Sequence, residues 1–449
     1  MLTFHGPRQK YCDGVSRRSF LKIGGFALGA VGGVTLSDIL QAQAASGSRS
    51  SHKAVINIFL GGGPPHQDMW DIKTEAPVEI RGEFKPISTK VAGIQIGECF
   101  PRIAAAMDKF VAIRSVVGCA GGHDAYQCVT GWRRGALASL GGPPAIGSAV
   151  ARLKGAIDPA VPATVGLAEP TRHAPWSESG QPGFLGDAYR PFKPNGQMMS
   201  DLKLNMTPER LQDRKGLLTE LSRIRRWGEQ QAKQTGGLNA FTAEAFDVLT
   251  SSRLVDALDL TKEDPKTLAR YGDGKPYQYQ YDGAPTCNDH LLIARRLVEV
   301  GVRSVTLSFG RWDSHGANFD LVRDHGGKLD QCVSALVEDL DERGMLDDVT
   351  VVVWGEFGRT PKINPKAGRD HWPQVSCALL AGGGMRTGQV IGSTNRLGEH
   401  AESRPVHMEE IVATIYRNLG IDTMSTTLVD PTGRPQFLLE RREAIRELI

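Results

Sequence analysis

Five stretches of this chain carry histidine and carboxylate side chains of the kinds that grip metal ions or move protons. His66 and Asp68 follow Gly61-Gly62-Gly63-Pro64-Pro65, and His123 and Asp124 sit in a glycine-rich loop. Asp313 and His315 flank Ser314 in Arg311-Trp312-Asp313-Ser314-His315-Gly316. Glu356 and Arg359 lie in Gly355-Glu356-Phe357-Gly358-Arg359-Thr360, and Asp370 and His371 in Gly368-Arg369-Asp370-His371-Trp372. Imidazole and carboxylate together hold a divalent cation, and the held cation polarises an ester and activates water. Singly, each residue says little: an Asp after a strand commonly caps a turn. The weight comes from recurrence at the ends of successive strands. Arg359 is equally suited to binding an anionic group or to pairing with a carboxylate. His173, His290, His325 and His400 have no such context, although His325 lies ten residues after His315. His407 is expected to cap the last helix.

The elements that must position these groups read as follows. Short, apolar, β-branched runs at 54–60, 109–116, 302–309, 349–354 and 376–381 predict strands. Helices are expected at 100–108, 207–233, 239–251, 288–300, 327–343 and 407–418. Thr207 before Pro208 starts one of them and Gly301 ends another. Alternation of strand and helix predicts an α/β fold, a three-layer sandwich around a central, mainly parallel sheet. A polar helical insertion is expected at about residues 185–283. In a parallel sheet the loops beyond the carboxyl ends leave from one edge, so the ligand-type residues would meet there.

The amino terminus reads as an export signal. Ser16-Arg17-Arg18-Ser19-Phe20-Leu21-Lys22 is a twin-arginine motif, residues 23–36 are weakly apolar, and Ala42-Gln43-Ala44 is a cleavage site. Residues 1–44 are therefore expected to leave after passage through the twin-arginine translocase, placing the mature chain in the periplasm or outside the cell. Their five basic and two acidic residues account for the whole net charge of +3, leaving 48 of each sign. A neutral balance argues against nucleic acid as a partner. No apolar run reaches the roughly 18 residues of a spanning helix, so no stable membrane span is expected after cleavage. The 449 residues, 40% hydrophobic and 23% charged, exclude a mostly disordered chain and supply a sizeable core. Six cysteines remain after cleavage, without a C-x-x-C pair, and ordinary buried thiols are expected for most.

Rival motifs fail. Gly61-Gly62-Gly63 runs into Pro64-Pro65 and is no dinucleotide fingerprint; the glycines at 382–388 have the wrong spacing for one. No Walker A sequence and no G-x-S-x-G elbow occurs.

The segments Leu60–Asp68, Trp312–Gly316, Gly355–Pro361 and Gly368–Trp372 together resemble the bacterial family labelled domain of unknown function 1501. That family is grouped with the alkaline-phosphatase and sulfatase superfamily, and the resemblance implies an alkaline-phosphatase-like sheet between helices. It also implies roles. Asp68 resembles the first-strand carboxylate, with His66 beside it. Asp313 and His315 resemble the pair that binds the first metal, Glu356 resembles the acid of an Asp-His step, and His371 resembles the last histidine ligand. Phe357 stands where that step has its histidine. Thr130-Gly131 resembles the end of the superfamily's nucleophile helix, but the loop before it, from Cys119 to Ala125, offers no Ser or Thr. The formylglycine pattern is absent, because Cys99-Phe100-Pro101-Arg102 has its Arg one place early.

The expectation is an exported, metal-dependent hydrolase of sulfate or phosphate esters. Its metal ligands would be Asp68, Asp313, His315, Glu356 and His371; its substrate or acid–base groups would be His66, His123, Asp124, Arg359 and Asp370. Mixed imidazole and carboxylate donors suit zinc or manganese better than calcium. The substrate would be a small anionic ester or a sulfated glycan. The alternative is a non-catalytic exported protein of the same fold that binds a glycan, an anion or a protein partner.

Overall fold

The computed structural model describes residues 53–158, 160–194, 252–277 and 283–449. The expected signal at 1–44, the helices at 207–233 and 239–251, and most of the expected insertion lie outside the described residues.

Eight strands form the central sheet. In chain order they are β1 (Ala54–Gly61), β2 (Phe110–Val117), β3 (Thr164–Gly166), β4 (Ser304–Arg311), β5 (Val349–Trp354), β6 (Ser376–Gly382), β7 (Gln389–Ile391) and β8 (Val406–His407). The order across the sheet is β7-β2-β6-β5-β1-β4-β3, with β8 also against β2. β1 is buried along its whole length because it is central and covered on both faces. Its side chains alternate. Ala54, Ile56, Ile58 and Leu60 enter one core, with residues of the helices Asn288–Glu299 and Asn318–Glu342. Val55 and Phe59 enter the other, with residues of Tyr126–Thr130, Ile146–Lys154 and Met408–Asn418. Helices thus pack on both faces. The one polar residue inside β1, Asn57, accepts from Trp354 Nε1 at 2.8 Å and donates to Cys128 O at 3.1 Å, so its burial leaves no unpaired amide.

The sheet is mixed, mainly parallel. β6 alone runs against its neighbours, antiparallel to both β5 and β2. This reversal matters for the site. The connection from β5 to β6 starts and finishes on the same edge, where Ser376 lies opposite Val116 near the end of β2. Glu356 just after β5 and His371 just before β6 therefore share that edge with the loops following β1, β2 and β4.

The expected strands match the observed ones to within two residues. The longest helix differs: it starts at Asn318, well before the expected 327. Gly326-Gly327 lies inside it, and Gly326 is a packing site. A Cβ there would stand 3.2 Å from the Phe100 ring and 3.3 Å from Cys99 Cβ. The same helix carries Asp330, which accepts the backbone N–H groups of Arg102 at 3.0 Å and Ile103 at 2.8 Å, capping the helix Pro101–Ala105. His407 occupies the N-cap position of the last helix, its backbone N–H donating to Glu410 at 2.8 Å. The six cysteines after residue 44 are free thiols, all buried except the half-buried Cys99. No helix among the described residues is long and apolar enough to cross a membrane.

The end of β4 is bent. Its register with β1 shifts between Phe59 and Gly61, and Gly310 has φ of +73°. His325 holds the bend: its Nε2 accepts the Arg311 N–H at 3.1 Å, while Nδ1 donates to Asp324 at 2.8 Å. Burial lowers the pKa of this imidazole, which fits the neutral tautomer that accepts at Nε2. Trp312 N–H then donates to Gly61 O at 2.8 Å, and Asp313 leaves the sheet at a fixed point. His325→Ala removes the acceptor of the Arg311 N–H and opens a void beside Trp312. Chemical denaturation is expected to show a loss of about 1–3 kcal/mol from the unpaired N–H, with a further cavity penalty.

Candidate metal centre

Four side chains from three separate loops converge at the carboxyl edge: His123, Asp313, His315 and His371. One donor atom from each lies within 4.8 Å of all the others. Asp313 Oδ1 is the hub. It stands 3.4 Å from His123 Nε2, 3.2 Å from His315 Nε2 and 3.4 Å from His371 Nε2. The Nε2 atoms of His315 and His371 are 3.1 Å apart.

Two of the three imidazoles are backed by carboxylates through the opposite ring nitrogen. His123 Nδ1 is 3.1 Å from Glu356 Oε1, and His315 Nδ1 is 2.6 Å from Asp370 Oδ1. Each carboxylate holds the proton on Nδ1 and frees the Nε2 lone pair toward the cluster, the arrangement seen around metal-ligating histidines. Glu356 is itself fixed. Its side chain is 2% exposed and accepts from Gly62 N–H at 2.8 Å, Gly63 N–H at 3.2 Å and Trp176 Nε1 at 3.4 Å. Gly62 and Gly63 have φ of +108° and +81°, so their consecutive N–H groups form a concave anion cradle. A Cβ at Gly62 would lie 2.4 Å from Asp313 N, so glycine is required for the close approach.

Burial works against ionisation of Asp313, but hydrogen bonds from His123 and His371 and the Arg359 guanidinium hold its carboxyl far below the usual range. Burial likewise works against the charged form of His123, yet its bonds to Asp313 and Glu356 raise it to about 9. The His315 bond depresses the Asp370 carboxyl.

Five of the expected site residues are placed otherwise. Asp68 is not at the cluster: it is wholly buried and paired with Arg369, whose Nε and second terminal nitrogen reach its two oxygens at 2.7 and 3.0 Å. Asn318 adds a bond of 2.8 Å. The remaining Arg369 donors go to the backbone oxygens of Ile80, Thr360 and Pro361. Glu356 is no direct member of the four-residue cluster but the orienter of His123. His66 is fully buried, bonded to Gly398 O at 3.0 Å, and burial lowers its pKa to about 3, so it is a neutral structural imidazole away from solvent. Arg359 is buried, donating to Gly63 O, Arg369 O, Gly62 O and Asp313. Asp124 caps its own turn through Tyr126 N–H at 3.0 Å and pairs with Arg134 at 3.0 Å. His123, Asp313, His315 and His371 are brought together, with Asp370 against His315.

Sequence reasoning passed over His173, Trp176 and Phe357 as wall residues. His173 Nε2 is 2.9 Å from His123 O, and the Trp176 and Phe357 rings lie 5.0 and 5.1 Å from the His123 ring. Phe357 also packs on His371 at 4.7 Å, forming an aromatic wall. No local spacing signals these contacts.

The cluster suits a metal ion. With bonds of about 2.0–2.1 Å, tetrahedral donors are spaced about 3.3–3.4 Å apart; four of the donor–donor distances here span 3.1 to 3.4 Å, and all lie within 4.8 Å. The family model for a protein of unknown function, DUF1501, matches residues 52–449. The chain belongs to that family. No curated protein matches this DUF1501 member significantly.

Removing Arg369 would strand the buried Asp68 carboxylate. Arg369→Met is expected to cost about 3–5 kcal/mol in denaturant unfolding, and Asp68→Asn added to it is expected to recover part of that loss.

Proposed function

We propose that this DUF1501 protein is an exported, metal-dependent hydrolase of sulfate or phosphate esters, with the sheet architecture of the alkaline-phosphatase and sulfatase superfamily. The supporting observation is the single point shared by Asp313, His123, His315 and His371, with carboxylates behind two of the imidazoles. These four residues would hold the ion, and the three imidazoles with one carboxylate favour zinc or manganese over calcium. When bound, the ion supplies Lewis-acid polarisation and lowers the pKa of water.

The chain's own residues define the rest. Asp313 supplies negative charge to the ion. Glu356 and Asp370 keep the Nδ1 protons of His123 and His315 in place. The Asp370 side chain is 53% exposed and is the carboxylate open to incoming water or substrate. Water is the nucleophile in this reading. Asp124 fills the turn before the helix Tyr126–Thr130, and the nearby thiols are buried, with Cys119 pushed up to about 12, so neither serves as a thiolate at neutral pH. The twin-arginine motif supports passage through the translocase in a folded state and a periplasmic or extracellular site of action.

One observation favours the alternative, an exported protein that binds a glycan, an anion or a protein partner without turnover. Arg359, the cation expected to grip an anionic ester, spends its donors inside the protein. A screen of aryl sulfates and aryl phosphates with added zinc or manganese separates the two. Turnover lost in Asp313→Asn and His371→Ala is expected; no turnover of any ester leaves the binding reading.

Metal analysis of the folded protein is expected to find roughly one divalent ion per chain, as a four-donor site holds; retention in fewer than about a tenth of chains sinks the proposal. Glu356→Gln is expected to weaken binding about 10–100-fold. The metal must displace the His123 proton, so affinity is expected to rise about tenfold per pH unit toward about 9 and then level off. A chelator competition at several pH values measures that slope.

A further inference from the structure

The two histidines backed by carboxylates are held very differently. His123 is backed by a buried Glu356 locked by glycine amides. His315 and Asp370 are 48% and 53% exposed, and an ion pair so open to water contributes little by itself. Long exposed side chains do not keep one orientation without a further tether.

Asn364 is that tether. Its Oδ1 accepts the N–H groups of Lys366 and Gly368, both at 3.0 Å, closing the turn from 364 to 368. Since Oδ1 faces two donors, the amide orientation is fixed by the network and the NH2 must face acceptors. It donates to His315 O at 3.1 Å and lies 3.4 Å from both Asp370 oxygens. One short side chain therefore holds the backbone of a cluster residue and the carboxylate that orients it. The two loops are clasped around this point. Ala317 N–H donates to Lys366 O at 3.1 Å, Asn318 N–H to Ala367 O at 2.9 Å, and Arg369 N–H to Ser314 O at 2.8 Å. Ala317 and Ala367 both take left-handed φ, +49° and +52°, a conformation that costs energy without glycine and persists where surroundings impose it. Gly368 passes so near that a Cβ would lie 2.2 Å from His315 C.

We propose that Asn364 is a positioning residue of the metal centre: its amide fixes the Asp370–His315 pair so that His315 Nε2 points at Asp313 and His371. This rests on the reading of the cluster as a metal site. Asn364 touches neither ion nor substrate; it acts through Asp370 and His315.

The test compares zinc affinity, by competition with a chromophoric chelator, in the wild-type chain, Asn364→Ala, Asp370→Asn and the double variant. Asn364→Ala is expected to weaken binding about 10–100-fold, and the double variant to bind no more weakly than Asp370→Asn alone, because the two act in series. Wild-type affinity in Asn364→Ala, or losses that simply add, overturn the proposal. Asn364→Asp guards against a folding defect, since it keeps the acceptor that closes the turn while the donating arm becomes a carboxylate oxygen that repels Asp370. Nitrogen-edited NMR of the metal-free, histidine-labelled protein at alkaline pH supplies a second readout. The Nδ1–H tautomer of His315 is expected to dominate in the wild type and to become mixed in both Asn364 variants, with His123 unchanged. An unchanged His315 in both variants overturns the proposal. Wild-type protein that takes up no zinc sinks the metal reading instead, and the tautomer measurement still decides the role of Asn364.

Discussion

One carboxylate oxygen sets the terms for the rest of the structure. Asp313 Oδ1 faces three imidazole nitrogens at 3.2–3.4 Å and the Arg359 guanidinium. Such crowding of ligand atoms is unfavourable unless something positive sits among them. In the metal-free chain that charge comes from Arg359 and from the proton that His123 retains. The surrounding architecture then has a single purpose. The bend at Gly310, held by His325, delivers Asp313. The glycine cradle fixes Glu356 behind His123, and the clasp around Asn364 fixes His315. The reversed strand β6 brings His371 back to the edge that the parallel strands already define.

The buried Asp68–Arg369 pair belongs to this support. It joins the loop after β1 to the loop that carries His371, using all the donors of one guanidinium. An apolar pair would close the same gap more cheaply in desolvation terms, because a buried ion pair recovers little beyond the cost of burying its charges. What the ion pair adds is direction. A guanidinium with fixed donors locks three backbone oxygens at set positions: that of Ile80, and those of Thr360 and Pro361 in the segment that pairs with Asp370. Arg359 works in the same way from the other side, donating to Arg369 O and to Asp313. The two arginines form a rigid bridge from the fully buried Asp68 to the half-open site.

The sequence was informative where chemistry is local. Strands of β-branched residues buried on both faces announce themselves, and β1, β4 and β5 lie within two residues of their expected places. The ligand types His123, Asp313, His315 and His371 stood out because each follows or precedes such a strand. What failed was partner choice. Asp68 and Asp313 are both acids shortly after a strand, and only a contact 301 residues away, to Arg369, makes the first structural. Glu356 was placed at the right end of the right strand, but two glycine amides and an indole had already claimed its oxygens. The direction of β6 left no trace either, since an apolar run of seven residues reads alike both ways. Asn364 was invisible for the same reason as Arg369: its role lies in atoms that meet across loops.

The exposure of the cluster is uneven, and that bears on what it can do. His123 and Asp313 are 18% and 12% exposed, whereas His315 and His371 are 48% and 33% exposed. Four protein donors on a tetrahedron would make a closed, structural ion site if all were sealed. Here His123 is packed against Trp176, Phe357 and Glu356 and Asp313 is paired with Arg359, while His315 and His371 are more open to water. Under the proposed metal reading, a ligand approaching from outside would meet the His315–His371 side first, next to Asp370. Catalytic zinc sites sometimes expand to five donors. Under the proposed metal reading, this gradient from buried inner residues to exposed outer ones suits an ion open to substrate better than a sealed one.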